Sequence, residues 1–584
     1  MNVKGYLGLF AVATKLCRFD SGVRPEFAHE LRRRQALVSI FRRSTRKLQK
    51  EKCAMKLKRP SFTSLVIALT LTLSALSTLG QEDVQKNSRE IPRYKLVDLG
   101  TLGGRASYVN PPWSLGAPHQ MNRGGVTVGS AATSVPSSFG CPFCNGLDGQ
   151  VFNVFHAFKW SGGVLKDLGA LPGELTNSVA TSINAEGSVV GHSENGKIDP
   201  LTGMRELRAF LWRDGKIRSL GTFGGNHSFV GDINDHGQIV GYALNTTPDP
   251  FSWIGVFLAC PDTLPRCTSN STQTRAFLWE NGHKRDLGTL GGPDAAAGGV
   301  NERGEVAGIS YTNSIPNATT GLPTVAAFLW RKGKMIDLGN FGGTFTGITQ
   351  INNRSQVIGT SNLPGDEFSD PYVWEDGKLI DLYTDTVGAN VIFAEALNDA
   401  GAIVGAAAFP DHPFDAYVWK DGVATDLGVL SGDCFSWAFV INSMGQIAGQ
   451  SFSCPDAATA RPFLWQDGTM FDLNELVHPA PDLKFTQAFV INDRGEIGGI
   501  GTPPGCDFDE DCGHALVLIP CSPGDNDFYC GDSVKNSSNV ARANVSGNRK
   551  TPLNASENSV GRELAARLQS RFGRKHILGL PRLK

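Results

Sequence analysis

Ala209-Phe-Leu-Trp-Arg-Asp-Gly-Lys-Ile-Arg-Ser-Leu220, followed by Phe229-Val-Gly-Asp-Ile-Asn-Asp-His-Gly-Gln-Ile-Val-Gly241, encodes two successive hairpins. In the first, two strand-like runs flank Asp214-Gly215, and Asp-Gly supplies the positive φ angles of a tight type I′ turn. In the second, Asn234 can bond its own backbone to open a turn and Gly237 can take the left-handed position that ends it. Two hairpins make four short strands, the content of one propeller blade.

Both phrases recur along the chain. Asn-x-x-Gly-x-x-x-Gly stands at Asn122, Asn184, Asn234, Asn301, Asn352, Asn398, Asn442 and Asn492, with Ser355 replacing the first glycine once. That turn is expected to be strained or of another type. Phe/Tyr-x-Trp-x-x-Gly stands at Trp160, Trp212, Trp279, Trp330, Trp374, Trp419 and Trp465. Repetition at roughly 40–50 residues marks a solenoid or propeller. Asp-Gly turns and alternating β-branched runs exclude helical repeats, and a β-solenoid would lack hairpin turns.

The ends of the array are complementary. Tyr94-Lys-Leu-Val-Asp-Leu-Gly100 is a lone outer strand without its Trp-bearing partner, and His514-Ala-Leu-Val-Leu-Ile519 is a lone partner after the last Asn hairpin. Paired, they complete an eighth blade and remove the largest exposed edge. The expected fold is therefore all-β: a closed β-propeller of eight four-stranded blades, with Asn strands toward the axis and Asp-Leu-Gly strands at the rim.

These phrases resemble the bacterial HAF extracellular repeat, whose His-Ala-Phe run stands here as His156-Ala-Phe158 and, altered, as His514-Ala-Leu516. The resemblance covers Tyr94 to Ile519. It implies β-architecture and an extracellular location, and no functional residues transfer with it.

Four regions are expected. Residues 1–54 read as an over-extended gene start or unstructured extension. Residues 55–80 read as a signal peptide: a basic head from Met55, an apolar stretch from Phe62 to Leu79, and small residues Thr78 and Gly80 before a cut at Gln81. Residues 91–520 form the propeller, and 521–584 a linker and tail with a possible short helix from Val560 to Phe572. No other apolar run is long enough to span a membrane.

The formal net charge of −1 hides an asymmetry: residues 81–520 hold 28 Lys+Arg against 47 Asp+Glu. An acidic ring repels nucleic acid and anionic membrane. Downstream of the signal segment the cysteines fall into local pairs, Cys141 with Cys144, Cys260 with Cys267, Cys434 with Cys454, Cys506 with Cys512 and Cys521 with Cys530. In an oxidising compartment these read as loop disulfides rather than metal ligands.

Chemistry-bearing motifs are scarce. The repeated Trp residues share one strand position beside a Phe or Tyr, which suits packing between blades better than sugar stacking. Turn formation accounts for the repeated Asn, and one carboxylate per turn is too few for calcium. Asp507, Asp509, Glu510 and Asp511 make a better calcium loop but match no EF-hand spacing. Cys141-Pro-Phe-Cys144 has redox spacing without a thioredoxin-like context. Scattered histidines form no His-Glu-x-x-His motif, and no Gly-x-Ser-x-Gly or phosphate loop occurs. No residue is thus assigned a catalytic, cofactor-binding or metal-binding role, and no cofactor is expected. The reading is an exported, non-catalytic binding or scaffold module for an extracellular glycan or protein, with insertions from Ala131 to Asn153, Ser193 to Glu206 and Leu244 to Gln273 presenting a variable face. The alternative is a glycan hydrolase or lyase using Asp232, Asp235, Asp399 or Asp433 on pore loops.

Overall fold

The computed structural model describes residues 91–109, 119–137, 152–259, 270–454, 457, 459–477, 482–506, 512–522 and 530. Their strands form eight four-stranded antiparallel sheets arranged in a ring, a β-propeller. Blades one to seven span 103–169, 178–219, 228–286, 295–337, 346–381, 390–428 and 433–472. Blade eight joins Lys484–Ile491, Ile497–Thr502 and His514–Pro520 to Tyr94–Asp98, and the register Tyr94↔Pro520 to Asp98↔Leu516 closes the ring as the sequence predicts.

The local turn chemistry explains the strand boundaries. Asp214 and Gly215 adopt φ of 53° and 75°, and both central residues are positive in all seven Trp hairpins, as type I′ geometry requires. Ser355 keeps the same turn as its glycine counterparts, with φ of 64° and its N–H donating to Asn352 O at 3.2 Å. The strain is therefore retained, and Ser355 Oγ donates to Glu305 Oε2 at 2.6 Å. The second glycine of the phrase has a separate cause. A Cβ at Gly241 would lie 2.1 Å from Phe229 O and 2.9 Å from the Phe277 ring, so only glycine lets the third strand's aromatic ring lie over the second strand.

The core sits between blades. Phe210 is fully buried and Trp212 nearly so, packed with Val128, Ala157 and Leu168 of the preceding blade. Burying a side chain of this kind contributes about 2–3 kcal/mol. Lys159 and Lys166 also approach the Trp212 ring, at 5.4 and 5.0 Å from its centre. The His-Ala-Phe and Asp-Leu-Gly phrases turn out to be partners within one sheet. His156 Nδ1 lies 2.9 Å from Asp167 Oδ2, and His514 Nδ1 lies 2.9 Å from Asp98 Oδ2. The other oxygen of each Asp accepts the N–H of Gly169 or Gly100 at 2.7 Å. Burial pushes both carboxyls up, but these hydrogen bonds hold them below the ordinary range.

Because adjacent strands are antiparallel, the Asn turns and Trp hairpins share one face of the ring, which also carries Tyr94 and Pro520. The hairpins between second and third strands rise from the opposite face. In blades one to four the second strands, Thr127–Ser137, Val189–Ile198, Ile239–Asp249 and Val306–Pro316, are 10 or 11 residues long, and the third carries a short helix, Trp253–Ala259, beyond its tip. Disulfides join Cys434 to Cys454, Cys506 to Cys512 and Cys521 to Cys530. Cys141, Cys144, Cys260 and Cys267 lie outside the described residues, as do the acidic loop Asp507 to Asp511, residues 1–90 and residues 531–584.

Candidate functional site: the axial channel

Each repeated Asn lies at the inner end of its blade and performs two tasks. Asn442 Oδ1 accepts the N–H groups of Met444 and Gln446 at 3.1 and 2.9 Å, which shapes its own turn. Its Nδ2 donates to Asn492 O in the next blade at 3.0 Å. The same inter-blade bond is made by Asn122, Asn184, Asn234, Asn301, Asn352, Asn398 and Asn492, so eight side chains link eight blades in a closed circle. Turn formation therefore explains only half of the asparagine pattern.

Around this circle the axis holds a cavity of about 360 Å³. Three rows of side chains define it. At the mouth on the Asn face, an acidic residue that follows an Asn caps the neighbouring turn: Asp235 Oδ1 accepts Ala185 N–H at 2.7 Å, Asp399 Oδ1 accepts Asn353 N–H at 2.8 Å, and Asp493 Oδ1 accepts Ser443 N–H at 3.0 Å. Glu302 receives the N–H of Asp235 at 3.1 Å. Arg123 is the basic residue at the same position. Before each Asn stands an apolar residue, such as Ile233, Leu397 or Ile491.

The third row, three residues before each Asn, decides the chemistry. In seven blades the pairing of first and second strands slips here, leaving Thr181, Gly231, Gly298, Thr349, Glu395, Phe439 and Phe489 as bulge residues. A bulge leaves its residue unpaired and re-aims its side chain. In blade one His119, three residues before Asn122, holds the equivalent position. His119, Thr349, Glu395, Phe439 and Phe489 all line the cavity.

His119 Nδ1 lies 3.1 Å from Asp232 Oδ1, one residue beyond the Gly231 bulge. The Asp232 carboxylate raises the imidazole pKa to about 9, with Glu302 and Asp235 adding to the rise, although the His119 ring is itself 55% exposed within the channel, where solvent screens the pair. At neutral pH this is an imidazolium–carboxylate pair. Burial pushes the Glu395 carboxyl up to about 7, with the neighbouring Trp437 side chain acting in the opposite direction. Aromatic groups gather on that side: Phe393 stacks on Trp437 at 4.9 Å between ring centres, and Trp437 meets Phe439 at 5.4 Å.

Of the acids named from the sequence, Asp235 and Asp399 reach the mouth and Asp232 stands at the His119 pair. Asp433 does not join them: it begins strand Asp433–Ile441 and pairs with Arg461 Nη2 at 2.9 Å. Sequence reasoning missed His119, Glu395, Phe439 and Phe489. The sequence offered only a weak signal, a column of changing residue type three places before each Asn, and the neighbouring columns two before and one after the Asn change as freely.

A buried His–Asp pair also stands on the opposite face, where His227 Nε2 lies 3.0 Å from Asp199 Oδ2. His227 Nδ1 accepts Leu207 N–H at 3.2 Å, so Nε2 carries the proton toward Asp199. Asp199 also accepts from Asn226 Nδ2 and Thr202 Oγ1. Every partner is occupied in pinning the second-blade hairpin to the third blade. Among the described residues no group of three or more His, Cys, Asp or Glu is arranged to hold a metal ion, and no helix is long and apolar enough to cross a membrane.

No family model matches the chain, and no curated protein matches it at a significant level. Among solved structures it is similar to dipeptidyl peptidase 4 of Porphyromonas gingivalis, at 11% identity over 61% of this chain and 54% of that one, with a TM-score of 0.32. It is also similar to the tricorn protease (12%, 60% and 32%, TM-score 0.25) and to TolB from Acinetobacter baumannii (11%, 58% and 80%, TM-score 0.25). The chain thus spans about half the length of the peptidase and a third of the tricorn protease.

Proposed function

We propose that this chain is an exported, non-catalytic β-propeller of the HAF-repeat type that serves as a binding or scaffold module for an extracellular glycan or protein. The observation that carries the reading is the division of labour within the repeat. Columns that recur have structural duties: Asn links blades, glycines permit turns and close approach, and Phe and Trp fill the inter-blade core. The bulge column, which opens on the axial cavity, is free to vary and carries diverse side chains. Disulfides such as Cys434–Cys454 suit an oxidising compartment.

A hydrolase or lyase acting on extracellular glycans is the second reading. It draws support from Glu395, whose pKa of about 7 suits a general acid, in the same channel as the His119–Asp232 pair. Incubating the protein with polysaccharides, peptides and esters, with both binding and product release measured, separates the two. Binding without product is expected. Turnover abolished by Glu395→Gln or Asp232→Asn would sink the binding-only reading.

A further inference from the structure

The bulge column is asymmetric around the axis. Glu395, Phe439, Phe489 and His119 occupy four consecutive blades, six, seven, eight and one. Across the axis from the two phenylalanines, blades three and four carry Gly231 and Gly298, which contribute no side chain. The space therefore lies against an aromatic wall flanked by a carboxyl on one side and a neutralised ion pair on the other.

Charge selects among ligands for such a wall. The residues lining the mouth include Asp235, Glu302, Asp399 and Asp493 against Arg123; Arg303, Arg354 and Arg494 on the same turns are paired with Glu305, Glu375 and Glu496, His236 stands 3.2 Å from Glu302, and His119 is already paired with Asp232. An anion would meet this ring of carboxylates on entry, whereas a cation would be drawn in. Aromatic faces beside a carboxyl are the arrangement that holds organic ammonium ions, through cation–π attraction and a charge-assisted hydrogen bond.

We infer that the axial channel binds a small organic ammonium group, with Phe439 and Phe489 as its aromatic wall, Glu395 as its counter-ion and the mouth carboxylates as its guide. The inference rests on the reading of the lumen as a binding site. The ammonium could belong to a free amine or to a lysine side chain of an extracellular peptide. A cation at this place would favour the ionised form of Glu395.

The test is titration calorimetry on the full chain with 1,5-diaminopentane, tetramethylammonium, a lysine-containing pentapeptide and N-acetylglucosamine. The ammonium probes are expected to bind and the neutral sugar not to. Diaminopentane tighter than the peptide assigns a free amine, and the reverse assigns a lysyl side chain. Glu395→Gln and Phe439→Ala are each expected to weaken binding about tenfold. Should either variant lose its fold, the double change Asp235→Asn and Asp399→Asn keeps an amide oxygen for each mouth N–H, as Asn353 does natively, and is expected to weaken binding and flatten its salt dependence. Equal affinity for the neutral sugar, or ammonium binding unchanged in folded Glu395→Gln, would overturn the inference. If amines fail while a polysaccharide or protein binds, the ligand class falls and the binding-module reading stands. If nothing binds and a substrate is turned over, both fall.

Discussion

Asn492 Nδ2 donates to the main-chain oxygen of Asn122 at 3.2 Å, across 370 positions of sequence. This bond closes the circle that the other seven Asn side chains build between neighbours. It joins the first and last copies of the repeat at the axis, while Tyr94–Asp98 and His514–Pro520 join the ends at the rim. The ring is thus sealed twice, at its inner and outer radii.

The inner seal predicts the cost of losing one link. Asn442→Ala removes the one oxygen that accepts two part-buried turn N–H groups, those of Met444 and Gln446, and the donor of the buried bond to Asn492 O. Leaving buried backbone groups unsatisfied costs about 1–3 kcal/mol each, with some relief from water at the channel. A loss of roughly 2–4 kcal/mol is expected by denaturant titration. A change within 0.5 kcal/mol of wild type, roughly the spread of surface substitutions, would show that the asparagine circle is not a stabilising element.

The outer seal predicts that deleting residues 91–100 lowers the melting temperature far more than deleting 533–557. The first deletion strips blade eight of a paired strand and of Tyr94, which is buried against Leu473, Leu476 and Leu483. Circular dichroism melts of the two truncations make the comparison. Equal melting temperatures would mean that the rim pairing contributes nothing.

Ser355 predicts a gain. Its φ of 64° places a side-chain-bearing residue in the left-handed region, at a cost of about 1 kcal/mol. Ser355→Gly is expected to stabilise by up to about 1 kcal/mol, less the value of the hydrogen bond to Glu305. The mirror experiment, Gly445→Ser at φ of 82° with open space around it, is expected to destabilise by a similar amount. Opposite signs in the two denaturation experiments support the shared turn; the same sign in both refutes it.

The channel predicts a stability that falls as pH rises. Glu395 is raised from 4.5 to about 7 on folding, so its contribution is full below about pH 4.5 and lost as pH passes 7. His119 is raised from 6.5 to about 9, so its contribution is full below about pH 6.5 and lost toward 9. Denaturation midpoints against pH are expected to flatten in the lower window in Glu395→Gln and in the upper window in His119→Gln. Parallel profiles for wild type and both variants would exclude these groups as the source.

Blade count, strand order and ring closure were legible in the sequence because each depends on local backbone preference. Asp214-Gly215 imposes positive φ wherever it stands, and a lone Tyr94–Gly100 strand must find a lone partner. The role of the asparagine side chain was not legible, because its donor reaches a carbonyl in a different repeat, 44 residues or more away in the sequence. Nor was the channel chemistry. Regular alternation along Asn390–Leu397 does not place Glu395 beside the axis; the slip between Ala394 and Ala396 does, and a bulge of this kind arises from how two strands settle against each other. Likewise only the closed ring brings Phe439, Phe489 and His119 to neighbouring positions, although their blades lie at opposite ends of the chain. Local sequence determined the turns, and through them the blades. The tertiary ring decided which unconstrained residues meet at its centre, because that depends on the direction each bulge faces once eight blades share one axis.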